Sequence, residues 1–265
     1  MNRHLVFSCV FVVALATTVG GVARADVVTL YDDGLGNLPG DQPWVGYFAL
    51  GGMASESPVA AGTRLTTNDA ASAGYSNHAP LSNPIVPQVI NPLFPSLNDT
   101  VGFSLSFQLQ VFDESHLSND RAGFSVILLG QDSRGIEIGF WEDRVFAQTD
   151  SPLFTHGEEG LFDTTADETT YTLTIQSGGY ALAADTQTIL SGAVRDYSSF
   201  SGTPLGVPYT LGNYVFLGDD TTSASADVSI GSVVLNSSLA AVPEPSTFAF
   251  VALLATPWGL RRRRG

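Results

Sequence analysis

Through the middle of this 265-residue chain, apolar and polar positions alternate in twos. In Val101–Asp113 the residues Val101, Phe103, Leu105, Phe107, Leu109 and Val111 alternate with Gly102, Ser104, Ser106, Gln108 and Gln110. Successive side chains of an extended chain point to opposite faces, so this segment is expected to be one long strand with a dry side and a wet side. Tyr171-Thr172-Leu173-Thr174-Ile175-Gln176 repeats the pattern, its threonines adding β-branched stiffness on the solvated face. Phe124–Leu129, by contrast, is an almost unbroken apolar run, as a strand covered on both faces requires.

Turn chemistry divides these segments at short intervals. Asp132-Ser133-Arg134-Gly135 separates Gly123–Gln131 from Ile136–Trp141, and Glu142-Asp143 separates the latter from Arg144–Gln148. Gly178-Gly179 lies between Tyr171–Gln176 and Tyr180–Ala184, Asp185-Thr186-Gln187 precedes Thr188–Leu190, and Tyr214–Leu217 and Ala226–Leu235 follow. About ten to twelve strands and no helical period between Asp26 and Ala241 predict an all-β, antiparallel β-sandwich or barrel. Asn77–Asn98, with prolines at 80, 84, 87, 92 and 95, reads as a long surface connection within a single domain, residues 26–241.

The two ends have a different grammar. Met1-Asn2-Arg3-His4 gives a positive start, Leu5–Val22 is apolar or small, and Ala23-Arg24-Ala25 supplies the small-x-small pattern of a cleavage site. Residues 1–25 are therefore expected to be a signal peptide helix, cut after Ala25 by signal peptidase. At the other end, Val242-Pro243-Glu244-Pro245 precedes the apolar run Thr247–Leu260 and the cluster Arg261, Arg262, Arg263 and Arg264. As a helix that run spans about 21 Å, short against a hydrocarbon core of roughly 30 Å. The arginines are expected to stay on the cytoplasmic side of the inner membrane, with the body outside. The order of these parts resembles the PEP-CTERM sorting signal over residues 242–265. That resemblance implies recognition by an exosortase-like membrane protease, cleavage near Pro243-Glu244-Pro245, and delivery to the cell envelope, cell surface or extracellular matrix.

Composition narrows the partners. The span 26–241 holds 18 Asp, 7 Glu, 5 Arg and no Lys, a formal charge of −20 with histidines neutral. Such a body repels nucleic acid and anionic membrane surfaces but not divalent cations or neutral polymers. Cys9, the single cysteine, lies in the removable segment, so the exported body has no disulfide and must be stable from its core alone. Asn98-Asp99-Thr100 and Asn236-Ser237-Ser238 are sequons.

The strand order, with Arg121–Val126, Gly135–Trp141, Tyr171–Ile175 and a glycine-led segment from Gly218 to Leu235, resembles the concanavalin A-type jelly roll of lectins, laminin-G modules and related glucanases. More narrowly, Leu30-Tyr31-Asp32 with Leu38-Pro39, Asn119–Phe124, and Phe216–Thr221 are similar to a choice-of-anchor domain, a type that carries no assigned activity. Glu137-Ile138-Gly139-Phe140-Trp141-Glu142 resembles the catalytic stretch of laminarinase-type glycoside hydrolases, which use a Glu-x-Asp-x-x-Glu pattern. Here Gly139 replaces the central Asp, and strict alternation puts Glu137 and Glu142 on opposite faces. The body is therefore read as non-catalytic, with hydrolysis by Glu137 and Glu142 as the alternative.

Two loops carry oxygen ligands of the kind calcium takes: Asp113 with Asn119 and Asp120, and Asp219 with Asp220. The same residues also cap turns, and no cofactor is needed for the fold. His78, His116 and His156 lack the spacing of a zinc site. Trp44, Tyr47, Trp141, Tyr197 and Tyr209 are candidate sugar-stacking aromatics. Trp141 leads them as a glycan contact because it shares a strand face with Glu137 and Gly139, and extracellular polysaccharide is the expected partner.

Overall fold

A computed structural model describes residues 27–48, 54–79, 89–201 and 208–239. The expected signal helix with Ala23 and Ala25, the Val242–Pro245 motif, the apolar run and Arg261–Arg264 all lie outside the described residues, as does the side chain of Tyr47. Among the described residues, fifteen strands follow in chain order: β1 Val27–Tyr31, β2 Val45–Phe48, β3 Ser55–Val59, β4 Gly62–Thr66, β5 Ala73–Ser76, β6 Phe103–His116, β7 Ser125–Leu129 and β8 Gly135–Phe140. The rest are β9 Arg144–Asp150, β10 Leu153–Leu161, β11 Thr169–Gln176, β12 Gly179–Ala184, β13 Gln187–Ala193, β14 Tyr214–Asp219 and β15 Ala224–Asn236. The helical elements among the described residues are two short 3-10 turns, Asp33–Leu35 and Pro39–Asp41.

The strands form two antiparallel sheets. An eight-stranded sheet runs β13-β12-β11-β6-β15-β4-β3, with β1 also paired to β15, and a seven-stranded sheet runs β10-β9-β8-β7-β14-β5-β2. Of the two antiparallel architectures that the alternation allows, a sandwich or a barrel, the structure is the two-sheet sandwich. Between the sheets, Phe103, Leu105, Phe107, Leu109 and Val111 of β6 meet Val126 and Leu128 of β7 and Ile136, Ile138 and Phe140 of β8 in the principal core. Phe107 and Tyr171 stack at 5.5 Å, and Phe140 packs edge-on to both, at 6.0 and 5.2 Å.

Several expectations change in detail. Val101 is exposed and precedes β6, because Gly102 takes a left-handed φ of 86° that breaks the alternation before Phe103. In β15 the inward set shifts from Val228 and Ile230 to Val233 and Leu235 across a register shift, so both halves of the strand face the core. The Asn77–Asn98 connection is anchored in the interior at both ends. Asn77 Nδ2 donates to the Asn213 carbonyl (2.8 Å), the Val215 N–H donates to Asn77 Oδ1 (2.9 Å), and buried Leu97 donates its N–H to Asn213 Oδ1 (2.8 Å).

Candidate functional site

The outer face of the seven-stranded sheet carries the unusual chemistry. Alternation puts Ile136, Ile138 and Phe140 of β8 in the core, so Gly135, Glu137 and Gly139 face the other way. Their neighbours on that face are apolar. Ile127 and Leu129 of β7 and Tyr214 and Phe216 of β14 form a second cluster beneath Phe154, Tyr197 and Tyr209. Tyr197 and Tyr209 lie between β13 and β14 in the chain, and both are buried, with ring centroids 5.3 Å apart. The unbroken apolar run of β7 is thus covered on both faces, as its sequence requires.

Glu137 sits under this cover with no exposed surface. Its backbone N–H donates to the Tyr197 hydroxyl (3.2 Å), which donates to the Gln148 carbonyl (2.8 Å). Glu137 Oε2 accepts a hydrogen bond from the Tyr209 hydroxyl, whose oxygen is also 3.1 Å from Asp220 Oδ2. Glu137 Oε1 and Gln148 Oε1 are buried without a hydrogen-bond partner. Burial, reinforced by the Asp220 carboxylate, holds the Glu137 carboxyl well above the ordinary range. Burial also raises Asp220, and the Arg121 guanidinium works against it.

Glu142 belongs to a different place. It is exposed in the turn after Trp141, where its Oε1 accepts the Glu114 N–H (3.3 Å) from β6 of the opposite sheet. The two glutamates of the hydrolase alternative therefore occupy separate environments, one sealed on the outer face and one at the sandwich rim. They do not flank a common cleft.

Trp141 does share the outer side of β8 with Glu137 and Gly139, but its ring faces are occupied, contrary to an exposed stacking platform. His116 stacks on it at 4.1 Å and 5°, Phe146 packs at 5.0 Å, and Nε1 donates to the Arg121 carbonyl (2.8 Å). Only 9% of the residue is exposed. Trp44 is likewise buried in the principal core, and Tyr197 and Tyr209 pack against the sheet.

The calcium candidates are dispersed into other duties. Asp113 is exposed on β6 opposite Asp227, which pairs with Arg64 at 2.5 Å. Asp120 Oδ1 accepts the His156 N–H (2.8 Å), its carbonyl accepts from Gln148 Nε2 (2.7 Å), and the Asn119 carbonyl lies 2.9 Å from His156 Nδ1. Asp219 is buried and caps the following turn through the Thr221 N–H (2.9 Å), and burial pushes its carboxyl up to about 8. Among the described residues, no group of three or more His, Asp or Glu side chains is placed to hold a metal ion. Turn capping describes Asp219, whereas Asp120 and Asp220 accept hydrogen bonds from other segments of the chain.

An open concavity among the described residues lies elsewhere, at the edge formed by β2 and β3. A cleft of about 460 Å³ is lined by Leu38, Gly40, Asp41, Trp44, Val45, Gly46 and Glu56, and Glu56 Oε2 accepts the Tyr75 hydroxyl (2.6 Å). Sequence reasoning missed both this cleft and the trio of Glu137, Tyr209 and Asp220. A signal for the trio was available: an outward glutamate on β8 beside the two-sided apolar run of β7 has to be buried.

No protein-family model matches the chain, and no curated protein matches it by sequence. Solved structures of similar shape include a carbohydrate esterase from the Shiga toxin-encoding bacteriophage phi24B, at 15% identity over 81% of this chain and 100% of that one, with a TM-score of 0.49. A Crh5 transglycosylase in complex with NAG is similar at 9% identity over 83% and 86% of the two chains, TM-score 0.46. The exoplasmic/lumenal domain of VIP36, bound to Ca2+ and Man3GlcNAc, is similar at 12% identity over 80% and 88%, TM-score 0.43.

Proposed function

We propose that the chain is exported through residues 1–25 and handed by a PEP-CTERM-type tail to an exosortase-like protease. The body then serves as a non-catalytic module of the cell surface or extracellular matrix that holds extracellular polysaccharide. The observation that carries this reading is the order of the C-terminal parts: Val242-Pro243-Glu244-Pro245, the apolar run Thr247–Leu260, and Arg261–Arg264. A core helix has no use for four adjacent like charges at its end. In this reading the body is a concanavalin A-type jelly roll, needs no cofactor, and meets the polysaccharide at the β2/β3 cleft. There the Asp41 and Glu56 carboxylates are suited to accept sugar hydroxyls.

The non-catalytic half is supported by the burial of Glu137 beneath Tyr197 and Tyr209, where its side chain has no accessible surface. The test is a panel of insoluble and soluble polysaccharides, scored for retention of the protein and for release of reducing ends. Retention that weakens at least tenfold in Asp41→Ala, without release of reducing ends, is the expected outcome. Sustained β-glucan cleavage that disappears in Glu137→Gln would overturn the reading in favour of a hydrolase.

A further inference from the structure

The contact of Glu137, Tyr209 and Asp220 contains a proton-counting problem. A phenol has one hydrogen to donate, yet the Tyr209 oxygen is within hydrogen-bond reach of both Glu137 Oε2 and Asp220 Oδ2. If both carboxyls were ionised, one oxygen would face the phenol with no hydrogen between them, inside a site where the remaining Glu137 oxygen already lacks a partner. A second proton on one carboxyl solves this, because that carboxyl then donates to the phenol while the phenol donates to the other.

Charge counting gives the same answer. The groups around the trio are Phe154 from β10 and Tyr197 from the segment after β13, both packed on the Tyr209 ring, and Arg121 from the segment between β6 and β7, whose charge acts on both carboxyls. Arg195 and Asp150 bear on Tyr197 in turn, and Asp219 lies next to Asp220. One guanidinium, Arg121, offsets one carboxylate. The second carboxyl is left without a cation and is buried, conditions that favour its neutral form.

We propose that Glu137 and Asp220 share a retained proton at neutral pH, and that this proton latches Tyr209 onto β8 and so holds the apolar cover of the outer face in place. The latch is secure in acid and at neutrality. It loosens in alkali, where two carboxylates would face each other across one phenol. The unfolded chain gives this proton up near pH 4, so across the interval up to the pH at which the folded trio titrates, the folding equilibrium constant falls about tenfold per pH unit.

Two measurements on the full chain test this. In carboxyl carbon-13 NMR of protein labelled at Glu and Asp, one carboxyl besides Asp219 should remain protonated at pH 7, and its signal should vanish in Glu137→Gln or Asp220→Asn. Urea unfolding from pH 5 to 9 should show that Glu137→Gln flattens the alkaline fall by about tenfold per pH unit, while Asp219→Asn removes a separate part. The NMR arm reads the wild-type chain first and takes only its assignment from the variants. A wild-type spectrum in which the Glu137 and Asp220 carboxyls, assigned through their variants, both ionise in the ordinary range would overturn the latch. An unchanged alkaline slope in a folded Glu137→Gln would do the same.

Discussion

Replacing Trp141 by alanine separates a packing role from a ligand-binding one. The indole is wedged between His116 and Phe146, nine-tenths buried, and its Nε1 satisfies the Arg121 carbonyl at 2.8 Å. Truncating a buried tryptophan costs about 3–5 kcal/mol, and the unpaired carbonyl falls within that range because the residue lies at the rim and water can reach it. With a urea m-value of about 3 kcal/mol/M for a chain of this size, the unfolding midpoint should drop by roughly 1–1.7 M. Trp141→Phe keeps the stacking partner but loses the donor, so its drop should be less than half as large. The assay is equilibrium urea unfolding followed by far-ultraviolet circular dichroism, run beside polysaccharide retention. A Trp141→Ala protein with an unchanged midpoint and lost retention would refute the reasoning, because it would make the ring a ligand contact rather than a structural wedge.

Other predictions follow from single residues. His78 is buried against Tyr214 at 5.5 Å with Nδ1 2.9 Å from Asn77 Oδ1, and burial lowers it from 6.5 to about 4. The unfolded chain therefore takes up this proton first, and stability should fall by about 2 kcal/mol, after discounting for solvent screening, as pH drops from 6.5 to 4. In urea titrations at both pH values His78→Asn should remove that part of the acid loss, and an unchanged pH dependence would contradict the assignment. A Cβ at Gly123 would run into the backbone of Ser225 and Ala226, so Gly123→Ala should cost about 1–3 kcal/mol, seen as a Tm lowered by roughly 3–9 °C. Arg64 pairs with Asp227 and lies 4.7 Å over the Phe112 ring, but on an open face; Arg64→Ala should move the urea midpoint by less than about 0.3 M.

Much of the sandwich was legible because half-buried strands write their geometry in periods of two. The alternation of β6 and β11 and the two-sided apolar run of β7 appear in the structure as sequence predicts. What escaped notice had no such period. In β3, Ser-Glu-Ser-Pro-Val is largely exposed, and in β5, Ala-Gly-Tyr-Ser is buried on both faces with only Tyr75 large, Gly74 leaving room for the β14 backbone. Edge strand β10 pairs with β9 through two register shifts that scramble any alternation. The site was harder still, since Tyr209 and Asp220 reach Glu137 across 72 and 83 positions of chain that no local pattern links. Aromatic residues were visible as a class, but whether a ring packs or protrudes depends on what crosses above it. For Tyr197 and Tyr209 the deciding partner is the apolar outer face of β7 and β14.

The proposed function divides the chain into membrane-directed ends and an acidic sandwich that would work outside the cell. The intact mass of the protein recovered from the surface of its own cells tests this most directly. A mass corresponding to a chain that begins at Asp26 and ends near the Pro243-Glu244-Pro245 motif is the predicted result, with any attached group appearing as a defined increment. Full-length chain, Met1 through Gly265, found unprocessed in the cytosol would contradict it.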